Sequence, residues 1–155
     1  MKKNKIYDVG NLIRIFLQMF FVVGVLILIF LYNITKYFNI HFDWFIFMIY
    51  PCGILFLCLV YEFINLFKTL ENKNPFCMDN VKRFRYNMIF SFIICILVLL
   101  AFFIASFGYN YYSAQLKVAL LFISLLFFVA SIAFYILAGL FKQATIYKEE
   151  NDLTI

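Results

Sequence analysis

Four long apolar stretches divide the chain, and short polar segments separate them. The stretches cover about residues 12–34, 44–67, 87–107 and 116–141. Each is about 20 residues or longer, the length that an α-helix needs to cross the hydrocarbon core of a bilayer. A helix also satisfies its own backbone hydrogen bonds in lipid. The pattern therefore predicts an all-α, integral membrane four-helix bundle that forms a single domain over residues 1–155.

The basic residues divide unequally among the segments that flank these stretches. Most of them precede the first stretch or lie near its start, separate the second from the third, or follow the fourth. Only Lys36 and Lys117 lie at the other two connections. Because cytoplasmic segments carry the excess of Lys and Arg, both termini are predicted to be cytoplasmic. The loop at residues 68–86 and the tail at residues 142–155 then face the cytoplasm. The tail is predicted to continue the fourth helix for a turn or two.

Composition excludes an ordinary soluble domain. Hydrophobic residues make up 66% of the chain, and the mean hydropathy is +0.97, whereas a soluble domain is about half apolar. The net charge of +5 comes from residues that flank the spans, so lipid headgroups explain it better than nucleic acid does. Membrane lipid is thus a predicted partner, and direct nucleic-acid binding is not predicted.

Enzyme signatures do not occur in the sequence. It contains no phosphate-binding loop, zinc-protease helix or nucleophile elbow, and none of its four cysteines forms a C-x-x-C pair. His41 and Asp43 supply too few ligands for a zinc site, which usually takes four. We therefore predict no enzymatic activity, no bound metal and no cofactor.

Two charged side chains lie inside apolar stretches, near their predicted cytoplasmic ends. Arg14 is about one turn inside the first stretch, and Glu62 is about one turn inside the second. Gln18 follows Arg14 by four residues and Asn65 follows Glu62 by three, so each pair shares a helix face. We predict that these four residues form an inner-leaflet polar cluster. Its alternatives are a structural salt bridge between Arg14 and Glu62, independent snorkelling of both charges, and a role in transport or sensing.

Small residues indicate where helices approach closely. Ser124, Ser131 and Ala138 recur every seven residues in the fourth stretch, and Ala101 and Ala105 form a small-x-x-x-small pair in the third. Such faces favour close helix packing in lipid. They leave open whether the bundle is a monomer or a homo-oligomer.

The loop and the tail carry a resemblance to a known family. The loop contains Asn74-Pro75-Phe76, then Asn80 and Arg83-Phe84-Arg85. The tail contains Phe141, Gln143 and Ala144 and ends in Glu149-Glu150-Asn151-Asp152-Leu153-Thr154-Ile155. These segments, with the span arrangement, resemble the small bacterial four-span membrane proteins called domain of unknown function 2975. Asn74 departs from the family pattern, which often has Gly there. The resemblance implies residence in the bacterial cytoplasmic membrane.

The same resemblance implies no established activity, but it implies a partner. Genes of this family often lie beside genes for small helix-turn-helix regulators, which suggests that the protein binds such a cytosolic regulator. The predicted docking residues are Pro75, Phe76, Asn80, Arg83, Arg85, Glu150, Asn151 and Asp152.

Three functions remain open at the level of sequence. The first is a regulatory or sensor protein that docks a cytosolic partner on its loop and tail. The second is an immunity or envelope-stress protein that protects against membrane-active peptides through its spans and outer loops. The third is a small transporter subunit, which is less favoured because no ionisable residue lies near the predicted midplane.

Overall fold

Four α-helices make up the computed structural model of the protein, which describes residues 2–37, 43–71, 75–107 and 113–153. The helices are α1 (Lys2–Tyr37), α2 (Asp43–Glu71), α3 (Met78–Phe107) and α4 (Ala114–Leu153). No strand occurs in these ranges, and all four helices are long and apolar enough to cross a membrane. The predicted all-α membrane four-helix bundle is therefore confirmed.

α2, α3 and α4 all extend beyond their predicted spans at the end of the bundle where α2 leads into α3. α3 begins at Met78, well before the predicted span start at residue 87, and α4 continues without a break to Leu153. The described part of the connection between α2 and α3 is residues 75–77. We call this region, with the adjoining ends of α2 and α3 and the neighbouring part of α4, the linker end of the bundle.

α3 and α4 pack together through small and polar side chains. Most buried residues of α3 recur at alternating spacings of four and three, which is the repeat of left-handed helix packing. The buried residues of α4 recur every seven residues. The repeat on α3 comprises Asn80, Phe84, Asn87, Ser91, Ile94, Val98, Ala101 and Ala105, and that on α4 comprises Ser124, Ser131, Ala138 and Thr145.

The burial of these residues confirms the predicted packing role of the small residues in both helices. Thr145 continues the seven-residue repeat of α4 into the tail, beyond the predicted span. The hydroxyl of Ser131 donates a hydrogen bond of 3.2 Å to the carbonyl oxygen of Met88. This bond joins α4 directly to the backbone of α3.

α1 packs against α2 through two reciprocal glycine–leucine contacts. A β-carbon on Gly24 would lie 2.8 Å from Cδ2 of Leu57, and one on Gly53 would lie 2.5 Å from Cδ2 of Leu28. Each leucine thus occupies the space that its opposite glycine leaves open. The two contacts define the antiparallel register of α1 and α2.

α1 lies at the periphery of the bundle. In the described ranges, close backbone approaches join α1 to α2, α2 to α3 and α3 to α4. α2 also reaches α4 through ring contacts, including Phe56 with Phe127 at 6.4 Å between centroids. Many apolar side chains of α1 are exposed, such as Leu12 and Phe16. In a membrane these side chains face lipid.

Candidate functional site

A cluster of phenylalanine rings holds α4 to the linker end of the bundle. The ring centroid of Phe141 lies 4.8 Å from that of Phe84 on α3 and 5.6 Å from that of Phe76 in the linker. Phe63 of α2 and Phe134 of α4 meet edge to face at 5.5 Å. Such aromatic pairs add roughly 0.5–1.5 kcal/mol beyond the area that they bury. The cluster therefore fixes α4 at the point from which the predicted tail departs.

An amide network closes the turn between α2 and α3. Nδ2 of Asn80 donates to the carbonyl oxygen of Pro75 and to Oγ1 of Thr69, both at 2.7 Å. The Thr69 hydroxyl in turn donates to the carbonyl oxygen of Leu66 at 2.7 Å. Asn80 is almost fully buried, and its amide supplies the linker carbonyl of Pro75 with a hydrogen bond that water would otherwise provide. This residue therefore shapes the turn from within.

An ion pair joins α2 to α3 deeper in the bundle than the Asn80 network. Nη1 of Arg83 donates to Oε2 of Glu62 at 2.8 Å, and the two side chains are 27% and 17% exposed. The pair is thus shielded from most of the solvent, and the guanidinium offsets the cost of placing a carboxylate in an apolar stretch. Glu62 also lines a cavity of about 290 Å³ with Phe21, Cys58 and Phe90.

A smaller apolar cavity lies beneath the turn. Its volume is about 130 Å³, and the polar side chain in its lining is that of Asn80. The remaining lining residues are Phe63, Leu66, Phe67, Pro75, Phe84 and Phe141. Three helices and the linker meet at this cavity, so a displacement of any one of them changes its shape.

Of the four residues in the predicted inner-leaflet polar cluster, only Glu62 takes part in the contacts described above. Glu62 is half-buried and bound to Arg83, while Asn65 and Arg14 are half-buried and Gln18 is exposed. Extending the α1–α2 register places Arg14 about five residues from the position opposite Glu62, or roughly 7.5 Å along the axis. Pairing of Arg14 with Glu62 stays a prediction.

The predicted docking residues divide into buried and accessible groups. Asn80 is buried, and Pro75 and Arg83 are half-buried in contacts within the chain. The described residues that remain exposed are Phe76, Arg85, Glu150 and Asn151, while the side chain of Asp152 lies outside the described part.

Sequence reasoning missed Arg83 as the partner of Glu62, and it missed Thr69 and Thr145. It named Phe141 in the family-like tail but did not predict its ring contacts. The apolar stretches concealed the ion pair, because they placed Arg83 in a loop and not on a helix. α2 ends nine residues after Glu62, whereas α3 begins five residues before Arg83. No equal spacing about the connection therefore signals the pair in the sequence.

The described residues hold no group of three His, Cys, Asp or Glu side chains that could bind a metal ion. Cys52, Cys58, Cys77 and Cys95 are free thiols. His41 lies outside the described part of the chain. What the site offers is a packed polar turn with an attached helix, which suits positioning and binding.

Fold and site together define a multi-pass α-helical membrane protein in which α2, α3 and α4 meet in polar and aromatic contacts at one end of the bundle. Residues 27–155 match the sequence profile of the family described as "Protein of unknown function (DUF2975)", and the chain belongs to this family. No curated protein and no solved structure matches the chain.

Proposed function

We propose that the protein is a membrane regulatory or sensor protein whose linker end docks a cytosolic regulator. In this proposal the contact surface is the exposed ring of Phe76 together with the tail helix, which we define as residues 142–153 of α4. The proposal takes the linker end to be cytoplasmic, as the distribution of basic residues predicts.

The observation that carries the proposal is the unbroken continuation of α4 beyond the ring cluster. Phe141 packs on Phe84 and Phe76, and one turn later the side chain of Thr145 is 1% exposed. The tail helix is therefore anchored at its base, while Tyr147 is 66% exposed further along. A preformed helix loses less conformational entropy on binding than a disordered segment does, and this favours a docking role.

The tail helix carries Lys142 and Lys148, but its far end has an excess of acidic residues, which supports a basic partner. Its exposed far end carries Glu149 and Glu150, next to Tyr147. A small helix-turn-helix regulator presents a basic surface to DNA, and acidic side chains on the membrane would compete for that surface. Docking would then hold the regulator away from DNA. Tyr147 supplies the rigid aromatic contact that interface centres favour.

The buried docking candidates have a positioning role in this proposal. Asn80 holds the linker backbone, and Arg83 holds α3 against α2. Both act on the contact surface through its shape. Arg85 lines a groove that reaches the tail helix at Lys142 alone, and this proposal assigns Arg85 no contact with the partner.

Site-specific photo-crosslinking tests the proposal. A photoreactive residue at Tyr147 in the full chain should form an adduct with a small basic DNA-binding protein in native membranes, identified by mass spectrometry. The same residue at Leu121, also exposed but near the other end of α4, is the matched control. Exclusive recovery of lipid or of membrane proteins at Tyr147 would contradict docking.

Charge variants then test the chemistry of docking. Glu149→Gln with Glu150→Gln should lower adduct yield several-fold, since complementary charge raises the association rate. Asp79→Asn removes an exposed carboxylate from the first turn of α3 and should leave the yield unchanged. Truncation before Tyr147 separates this function from peptide immunity, because it should abolish regulation while protection by the spans persists.

A further inference from the structure

A groove at the linker end, on the contact between α3 and α4, combines two cations with apolar walls. Its volume is about 320 Å³. α3 contributes Arg85 and Met88, and α4 contributes Tyr135, Gly139 and Lys142 among others. Arg85 and Met88 are three residues apart, so they share the helix face that looks into the groove.

The ion pairs that the structure describes do not include either cation of the groove. No carboxylate lines the groove, and the described ion pairs engage Lys82 with Asp79 and Arg83 with Glu62. Two like charges that line one concavity repel each other. An anion placed between Arg85 and Lys142 relieves this repulsion and is attracted by both.

The wall of the groove is open where α4 carries glycine. A β-carbon on Gly139 would meet no heavy atom within 4 Å. A bound molecule can therefore approach the backbone of α4 there. Next to the groove, Ile136 and Leu140 are 54% and 56% exposed. In a bilayer these side chains face the acyl chains, so the groove adjoins lipid along its apolar edge.

We propose that this groove is a specific site for an anionic phospholipid. The headgroup phosphate lies between Arg85 and Lys142, the glycerol backbone lies over Gly139, and one acyl chain runs along Ile136 toward the membrane interior. Basic pockets between helices at the cytoplasmic membrane surface recognise anionic headgroups in this way. The adjoining lipid-facing surface favours a lipid over a free phosphate, because only a lipid uses both the charges and the apolar edge. The site uses Lys142 at the base of the tail helix, and lipid binding there needs no docked partner.

Lipid binding by the purified full chain in detergent tests the proposal, with native mass spectrometry as the readout. Phosphatidylglycerol should bind, and phosphatidylcholine should bind much more weakly. Arg85→Gln with Lys142→Gln should weaken phosphatidylglycerol binding by about thirtyfold, since each basic residue near an anionic surface contributes about a factor of five. Lys117→Gln, which removes one positive charge at the other end of α4, is the control and should bind normally.

A shape variant keeps the test decisive if the charge variant fails to fold. Gly139→Leu fills the groove and retains both cations, and the open space at this position allows the bundle to form. It should also lose phosphatidylglycerol binding. Normal binding by Gly139→Leu would mean general surface attraction and would overturn the site. Equal competition by inorganic phosphate would overturn the assignment to lipid, and equal binding of phosphatidylcholine would overturn the role of the two cations.

Discussion

Nη1 of Arg83 lies 2.8 Å from Oε2 of Glu62, and this ion pair ties α3 to α2 just inside the linker end. Both side chains are partly buried, so water solvates the remaining charge poorly if one partner is removed. The pair connects the predicted polar cluster of the spans with the predicted docking loop. The two sets of residues, derived separately from the sequence, therefore meet in one contact.

Neutralising either member of this pair should destabilise the bundle. Glu62→Gln or Arg83→Gln should each lower the free energy of unfolding by about 1.5–3 kcal/mol, the range for hydrogen bonds to charged groups. The double variant should cost less than the sum of the two. Denaturant unfolding in detergent micelles measures all three. The exposed pair Lys82 and Asp79 is the control, and its loss should cost almost nothing.

A second double-mutant cycle, with Arg14 and Glu62, tests the predicted pairing of these two residues. If the two interact, Arg14→Gln should destabilise the protein less in a Glu62→Gln background than in the unmodified chain. Strictly additive effects would contradict the pair and leave Arg14 as a side chain that acts independently of Glu62.

Two serines at the α3–α4 contact should respond to alanine with opposite signs. Ser91 is fully buried, and its hydroxyl has no hydrogen-bond partner among the described residues. Ser91→Ala should therefore raise the free energy of unfolding, by up to about 1 kcal/mol. Ser131→Ala removes the bond to the Met88 carbonyl and should lower it by about 0.6 kcal/mol, the average for such bonds in membranes. A loss of stability in both variants would show that the Ser91 hydroxyl is satisfied.

The glycine–leucine contacts of α1 and α2 should not tolerate a β-branched side chain. Gly24→Val and Gly53→Val should each destabilise the α1–α2 contact by about 1–3 kcal/mol, the cost of overpacking. Gly139→Val is the matched control, because no atom lies near its β-carbon position. Unfolding midpoints in micelles compare the three variants. Similar midpoints for all of them would argue against the reciprocal contacts.

Thiol labelling tests the predicted orientation. In a variant that keeps Cys77 as its single cysteine, a membrane-impermeant maleimide should react only after the cells are permeabilised. With Cys77 replaced by alanine and Ser113→Cys introduced at the opposite end of the bundle, intact cells should be labelled. The reverse pattern would place the linker end outside and would exclude docking of a cytosolic protein there.

The four helices were predictable because an apolar stretch of about 20 residues has one conformation that satisfies its backbone in lipid. The small-residue repeat of α4 was predictable for a similar reason, since close approach requires small side chains wherever helices cross. Ser124, Ser131 and Ala138 are buried as that pattern indicates.

The contacts of the linker end were not predictable from the stretches alone. Hydropathy sets where a helix lies in the membrane, but it carries no information on which residues of a neighbouring helix stand at the same level. The pairing of Glu62 with Arg83 depends on the length of the connection between α2 and α3. The burial of Asn80 depends on Thr69 and Pro75, which approach it only after the turn has formed.

α4 is one continuous helix, so its two ends move together when it tilts. Its 40 residues span roughly 60 Å at 1.5 Å per residue, about twice the thickness of the hydrocarbon core. Helices tilt when bilayer thickness changes. A tilt of about 10° around the middle of α4 would sweep each end sideways by roughly 5 Å, given this length. A change in membrane thickness that tilted α4 in this way would displace its tail.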